Sequence, residues 1–244
     1  MYKEDFVPVF AHRGASGRAL ENTMNAFMKA QALGANGIEL DVQLSVEGIP
    51  VVFHDLNLKR LTGVDRLVNQ STMDELLRLK VGKPFWRVFS NKRISTFTEV
   101  VEWANQEQMP LNIELKESLI GHDDVLSQLV TNLHVPEGSH FSSFHIELLE
   151  IVKNVAPQFE TALIATKALK WELLQNLTQI DAIHAHKRYY KQRYLEACVV
   201  ARKQMRFYAI NGNEAYLKQP HPVVAGWITD YPEKVLKIQK KTGL

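Results

Sequence analysis

The chain has one cysteine, Cys198, among its 244 residues, so an intrachain disulfide is excluded. One thiol also rules out a thiolate-rich zinc centre and suits a reducing compartment. No apolar run is long enough for a membrane span, and MYKEDFVPVF at the start has no signal-peptide core. Charge of one sign is scarce too: 29 basic against 27 acidic residues leave a formal +2. That balance lacks the concentrated basic face a nucleic-acid partner requires. The lysines near the end (Lys234, Lys237, Lys240, Lys241) read as a solvated helix tail. Only 9 prolines and 12 glycines occur, and no compositional break marks a linker. The expectation is a cytoplasmic enzyme or binding domain, one domain across 1–244.

What is present is alternation. VPVFA at 7–11 reads as a strand, and 22–35 reads as a helix capped by Asn22 and stopped near Gly34. GIELDVQLS at 37–45 and PVVFH at 50–54 follow as strands, joined by a turn at VEG. Residues 95–108 carry a helical face of Phe97, Val100, Val101 and Ala104. Further strands are expected at 110–116, 139–143, 159–165, 181–186, 206–211 and 225–230, with helical patterns in most of the gaps. Residues 213–218 leave room for only a turn or two of helix. Eight strand units in sustained alternation predict an α/β fold, a TIM-type (β/α)8 barrel. Residues 55–94 break the repeat, being rich in turns and charges, with a short helical patch near Ser71. They read as an insertion after the second strand, placed to dress the mouth of the barrel or to mediate contacts.

Central parallel strands are normally apolar on both faces. In GIELDVQL, however, Glu39, Asp41 and Gln43 share one face, opposite Ile38, Leu40 and Val42. In LNIELK, Asn112, Glu114 and Lys116 share a face in the same way. Carboxylates gathered inside a barrel need positive charge. Arg13 and Lys116 supply part of it, and a divalent cation meets the rest. Glu39, Asp41 and Glu114 offer the hard oxygens of a magnesium or calcium site, with manganese also compatible.

His12 and His54 each end a strand-like run, VFAH and VVFH, beside a charged neighbour, Arg13 or Asp55. Imidazoles titrate near neutrality, so the pair suits acid–base work. His184 and His186 share a face and could line the mouth; His122, His134, His140, His145 and His221 join no constellation. Two imidazoles, an arginine, a lysine and three acids point to metal-assisted chemistry on a phosphate or carboxylate ester. Residue types and spacing go no further.

The chain resembles the glycerophosphodiester phosphodiesterases. The resemblance rests on AHRG at 11–14, ENT at 21–23, IELDVQLS at 38–45, VVFHD at 51–55 with LKRLTG at 58–63, LNIELK at 111–116, FSSF at 141–144 and WITDYP at 227–232. These blocks span essentially the whole chain, in the family's order. The resemblance implies hydrolysis of glycerophosphodiesters to glycerol phosphate and an alcohol. It implies one divalent ion on Glu39, Asp41 and Glu114, His12 and His54 as the acid–base pair, and Arg13 and Lys116 on the phosphate. A cyclic phosphate intermediate is expected, with His12 the base and His54 the acid in the first step. Phe144, His184, Tyr208 and Trp227 are the expected pocket lining. The chain departs from the usual family pattern at Leu20, where a proline is common, at FYAIN (207–211), where Tyr208 replaces a tryptophan, and at Ala225, where an acid is familiar.

Two other readings carry different expectations. A lysophospholipase D would need an apolar groove, for which Phe85, Trp86 and Phe89 are candidates unless they form a core of the insertion. A binding-only barrel would have lost part of the constellation, and all of it is present. The expected partner is a small glycerophosphodiester, with no nucleic acid, no stable membrane anchor, and a monomeric or homodimeric chain.

Overall fold

A computed structural model describes residues 6–85 and 87–241. Trp86 lies outside the described residues, as does the beginning of the opening segment. Eight parallel strands close into a barrel: β1 (Val9–His12), β2 (Gly37–Leu44), β5 (Leu111–Leu115), β6 (His140–Ser143), β7 (Glu160–Ile164), β8 (Ala182–His186), β9 (Gln204–Ile210) and β10 (Val224–Thr229). β1 pairs with both β2 and β10, which completes the ring. β3 (Pro50–Val52) folds back antiparallel on the end of β2, and β4 (Ser95–Thr96) pairs antiparallel with β3. The insertion therefore leaves and rejoins the barrel at one point.

Helices α1 (Met24–Ala32), α4 (Phe97–Glu107), α5 (Asp123–Thr131), α6 (Ile146–Val155), α7 (Gln192–Val200) and α8 (Pro232–Lys241) surround the barrel. After β7 and β9 the connections hold only short 3-10 turns, Trp171–Asn176 and Ala215–Leu217. Phe97, Val100 and Ala104 of α4 are buried as their spacing predicts, with Val101 half-buried. A capping box between Thr96 and Glu99 starts that helix.

The start of α1 corrects one expectation. Thr23, not Asn22, is the cap: its Oγ1 accepts from Ala26 N at 3.3 Å. Asn22 stands one residue earlier at φ +52°, and its amide is engaged elsewhere.

Short helices α2 (Lys59–Thr62) and α3 (Met73–Arg78) lie in the insertion, which has its own apolar centre. Leu58, Leu61, Val68, Leu76, Val81 and Ile94 pack there with Val51 and Phe53. Phe85 and Phe89 are not part of that centre; they are 76% and 80% exposed. No helix among the described residues is long and apolar enough to cross a membrane.

The packing of the insertion gives a stability prediction. Leu76 is fully buried at its centre, so Leu76→Ala should destabilise that unit by about 2–5 kcal/mol. Urea unfolding followed by tryptophan fluorescence, with limited proteolysis to locate the loosened segment, checks the outcome.

Candidate active site

The parallel register builds the site. His12 pairs with Glu39, Glu39 with Asn112, Asp41 with Glu114, and Glu114 with Ser142, so consecutive strands deliver polar groups side by side. The outward set Ile38, Leu40, Val42 and Leu44 is buried in the apolar core around the barrel. The inward set, Glu39, Asp41 and Gln43, is buried as well. A cavity of about 120 Å³ opens at the strand ends, lined by His12, Arg13, Glu39, His54, Asn112 and Glu114, among others.

β1 ends in a left-handed turn. Arg13 has φ +54° and Gly14 φ +77°, and a Cβ on Gly14 would lie 2.6 Å from the Ala26 carbonyl carbon. Only glycine fits against α1 there. The strained turn aims the Arg13 N–H at Glu39 Oε2, at 2.7 Å. The Arg13 side chain places Nε 3.2 Å from Asp41 Oδ2 and donates Nη1 to Glu21 Oε1 at 2.9 Å. Asn22 Nδ2 donates to the same Asp41 oxygen at 2.7 Å.

Glu39, Asp41 and Glu114 bring one oxygen each within 4.8 Å of one another. Glu39 Oε1 and Asp41 Oδ1 are buried without a hydrogen-bond partner among the described residues. Lys116 Nζ donates to Glu114 Oε1 at 2.7 Å and stands 3.4 Å from Asp41 Oδ1. Burial, with Asp41 and Glu114 beside it, pushes the Glu39 carboxyl up to about 8. Asp41 is held below the carboxylate range because Arg13 and Lys116 outweigh its burial. Three hard oxygen donors with two orphaned atoms fit a divalent cation.

Each histidine has its own carboxylate. Asp230 Oδ1 accepts from His12 Nδ1 at 2.7 Å, and Asp55 Oδ1 accepts from His54 Nδ1 at 2.6 Å. The two rings titrate in opposite directions. Burial lowers the His12 pKa, but the Glu39 and Asp230 carboxylates more than offset it, and the net shift is upward. For His54, burial together with Arg13 and Lys116 outweighs Asp41 and Asp55, and the net shift is downward.

The remaining expected residues divide. Phe144, His184 and Tyr208 line the cavity. Trp227 does not: it is fully buried and stacks with Tyr216 at 5.7 Å, with Tyr190 and Phe207 close by. Strand parity is the reason, since Ile228 takes the inward position on β10 and lines the cavity instead. Lys116, expected on a phosphate, is turned onto the carboxylates rather than lining the cavity.

Four partners were absent from the expected catalytic, metal and phosphate set: Asn22 on Asp41, Asp230 on His12, and Glu21 with Arg60 beside Arg13 and His54. Each lies in or beside a motif block, ENT, LKRLTG or WITDYP, so the signal existed without a role attached. Arg60 and Glu21 also border a wider cleft of about 660 Å³ between the 16–21 loop and the insertion, where Phe89 contributes to the wall.

The model of the glycerophosphoryl diester phosphodiesterase family matches residues 12–234. A glycerophosphodiester phosphodiesterase of Caldanaerobacter subterraneus subsp. tengcongensis is 31% identical over 242 residues, covering 96% of this chain and 98% of that one. The solved structure of an Oleispira antarctica phosphodiesterase, in complex with the product sn-glycerol-3-phosphate, superposes with a TM-score of 0.80. It is 30% identical, with 96% of each chain covered. A rat lysophospholipase D is 37% identical over 129 residues, 50% of this chain and 39% of that one.

The orphaned oxygens and the Asn22 contact make metal affinity testable. Asn22→Gly keeps the left-handed turn but removes the amide from Asp41, and should weaken divalent-ion binding about 10- to 100-fold. Calorimetric titration of chelator-treated protein with Mn2+ measures it. Binding should also strengthen as pH rises toward 8, because the ion displaces the Glu39 proton.

Proposed function

The chain belongs to the glycerophosphoryl diester phosphodiesterase family, and from that premise we propose that it hydrolyses glycerophosphodiesters to sn-glycerol 3-phosphate and the free alcohol. The observation that carries this reading is the meeting of two imidazoles of opposite titration beside a carboxylate triad and a guanidinium. Glycerophosphocholine, glycerophosphoethanolamine and glycerophosphoglycerol are the proposed substrates. A single divalent ion, Mg2+ or Ca2+ with Mn2+ as substitute, would be held by Glu39, Asp41 and Glu114. When bound, it would supply Lewis-acid polarisation of a phosphoryl oxygen.

The chain's own residues carry the proton traffic. His54, kept neutral, takes the proton of the glycerol hydroxyl next to the phosphate, and that oxygen attacks phosphorus. His12, kept protonated, gives its proton to the departing alkoxide, releasing the alcohol and leaving a cyclic phosphate. Water then opens the ring with the roles exchanged: His12 takes the water proton and His54 returns its proton to the glycerol oxygen. This order is the reverse of the one expected from sequence, and the opposed electrostatics of the two rings support the reversal. Each Nδ1 is tied to a carboxylate, so Nε2 is the atom that exchanges protons. Arg13 is proposed to hold the phosphate, and Lys116 to join it once its carboxylate partners are neutralised. An internal hydroxyl is already positioned, which lowers the entropic part of the barrier. The lone, buried Cys198 suits the proposed cytoplasmic setting, and a monomer or homodimer is the proposed assembly.

The direct test is release of glycerol 3-phosphate from the three diesters by metal-stripped and metal-supplemented protein, beside a lysophosphatidylcholine control. Metal-dependent release from the soluble diesters is expected, and choline release from the lysolipid alone would move the reading to a lysophospholipase D. His12→Ala and His54→Ala should each lower kcat by about 10²- to 10⁴-fold.

The pH profile separates the two roles. The rising limb of kcat/KM, which needs neutral His54, should lie below the ordinary imidazole value of 6.5. The falling limb, which needs protonated His12, should lie above it. Asp230→Asn removes a carboxylate that raises His12, so the falling limb should move to lower pH. A shift of the rising limb instead would return the base role to His12.

A further inference from the structure

Arg60 stands in α2, inside the insertion, with its side chain 45% exposed. Its Nη1 and Nη2 donate to Glu21 Oε2 and Oε1, both at 2.8 Å. Its Nε and Nη2 donate to Asp55 Oδ2 and Oδ1, at 2.5 and 3.1 Å. One guanidinium therefore grips two carboxylates, each by both oxygens. Each carboxylate has a second task. Asp55 Oδ1 accepts from His54 Nδ1 at 2.6 Å, and Glu21 Oε1 accepts from Arg13 Nη1 at 2.9 Å. The segment after β3 and the β1–α1 loop already touch where Leu20 packs on the insertion's apolar centre, and this side chain ties their polar groups together.

Half-exposed ion pairs contribute little to stability, so the value of this fork lies in geometry. A planar guanidinium fixes the direction of both partners, which a lysine ammonium cannot do. We propose that Arg60 is a positioning residue. It locks Asp55 against His54 and Glu21 against Arg13, so that the insertion sets the orientation of one imidazole and of the guanidinium facing the phosphate. The proposal rests on the roles given above to His54 and Arg13. It also gives the insertion a function that neither its apolar centre nor the wide cleft beside it requires.

The test compares Arg60→Ala and Arg60→Lys with wild type, with His54→Asn as control, all saturated with metal. Displacement of catalytic groups by about 1 Å costs on the order of 10²-fold in rate. That drop in kcat is expected for Arg60→Ala, with its melting midpoint close to wild type. Added guanidinium chloride, at millimolar levels far below those that unfold proteins, should restore part of the Arg60→Ala turnover and none of the His54→Asn turnover. Arg60→Lys should recover little, since it can hold only one carboxylate. Arg60→Ala combined with Asp55→Asn should lose less than the two single losses multiplied together, because part of the Arg60 effect passes through Asp55. Near-native turnover of Arg60→Ala beside an inactive His54→Asn would overturn the Arg60 role alone. A loss that guanidinium cannot recover, or that adds fully to Asp55→Asn, would overturn it as well. Full turnover of His54→Asn would instead remove the catalytic reading on which the proposal stands.

Discussion

Two buried carboxylates and a third half-buried, gathered in the mouth of a barrel, set the terms for the rest of the structure. Taking one such ion out of water costs on the order of several kcal/mol even after relaxation, and Glu39, Asp41 and Glu114 lie within reach of a single bound atom. The cost is met unequally. Asp41 has Arg13, Lys116 and Asn22 and stays ionised; Glu39 accepts one hydrogen bond among the described residues, from a backbone N–H, and is driven toward its neutral form. The strained Arg13 turn and the glycine that follows it are consequences of this demand. So is the left-handed Asn22, because each brings a donor to an oxygen that would otherwise be stranded.

The same demand explains why two chemically identical side chains can do opposite work. His12 is hydrogen-bonded to Asp230, an ionised carboxylate that favours an imidazolium. His54 is influenced by the Arg13 and Lys116 cations that the acids have recruited, and these favour the neutral ring. Barrel closure then becomes part of the chemistry. Asp230 reaches His12 from the far end of the chain only because β10 pairs with β1. The proposed acid is assembled by the last strand pairing of the ring, and the proposed base by a segment that leaves the barrel at β3.

Much of this was legible in the sequence, because the fold writes its deviations into strand periodicity. Polar residues at every second position of GIELDVQL and LNIELK fix the barrel face and the carboxylate triad together. A histidine at the end of an apolar run marks the mouth. The contacts between loops were less accessible. Asn22 has the composition of a helix cap, and only its positive φ shows that its amide serves Asp41 while Thr23 does the capping. The partnership of Asp230 with His12 crosses 218 positions of sequence, and no local pattern carries it. Trp227 sits in a motif block, but membership of a block says nothing about parity; its side chain packs among aromatics on the outer face. Lys116 shares the strand face of Glu114, and the family resemblance implied phosphate contact, yet Glu114 and Asp41 hold its ammonium.

That last discrepancy bears on how the cavity handles charge. Around the triad stand three carboxylates and two side-chain cations. With both acids and cations ionised the set is one charge negative, and the uptake of a proton by Glu39 removes the excess, in keeping with its raised pKa. A divalent cation in place of that proton would leave the set one charge positive, and a phosphodiester carries one negative charge. Those five side chains with ion and diester together would then be electrically balanced, whereas with either alone they would not. Low dielectric magnifies such imbalances, so each partner would improve the binding of the other. Lys116 is the group proposed to differ between the two states, because the oxygens it now neutralises are those the ion would take over. Its present position on Glu114 and its proposed position on phosphate are successive answers to the same electrostatic constraint.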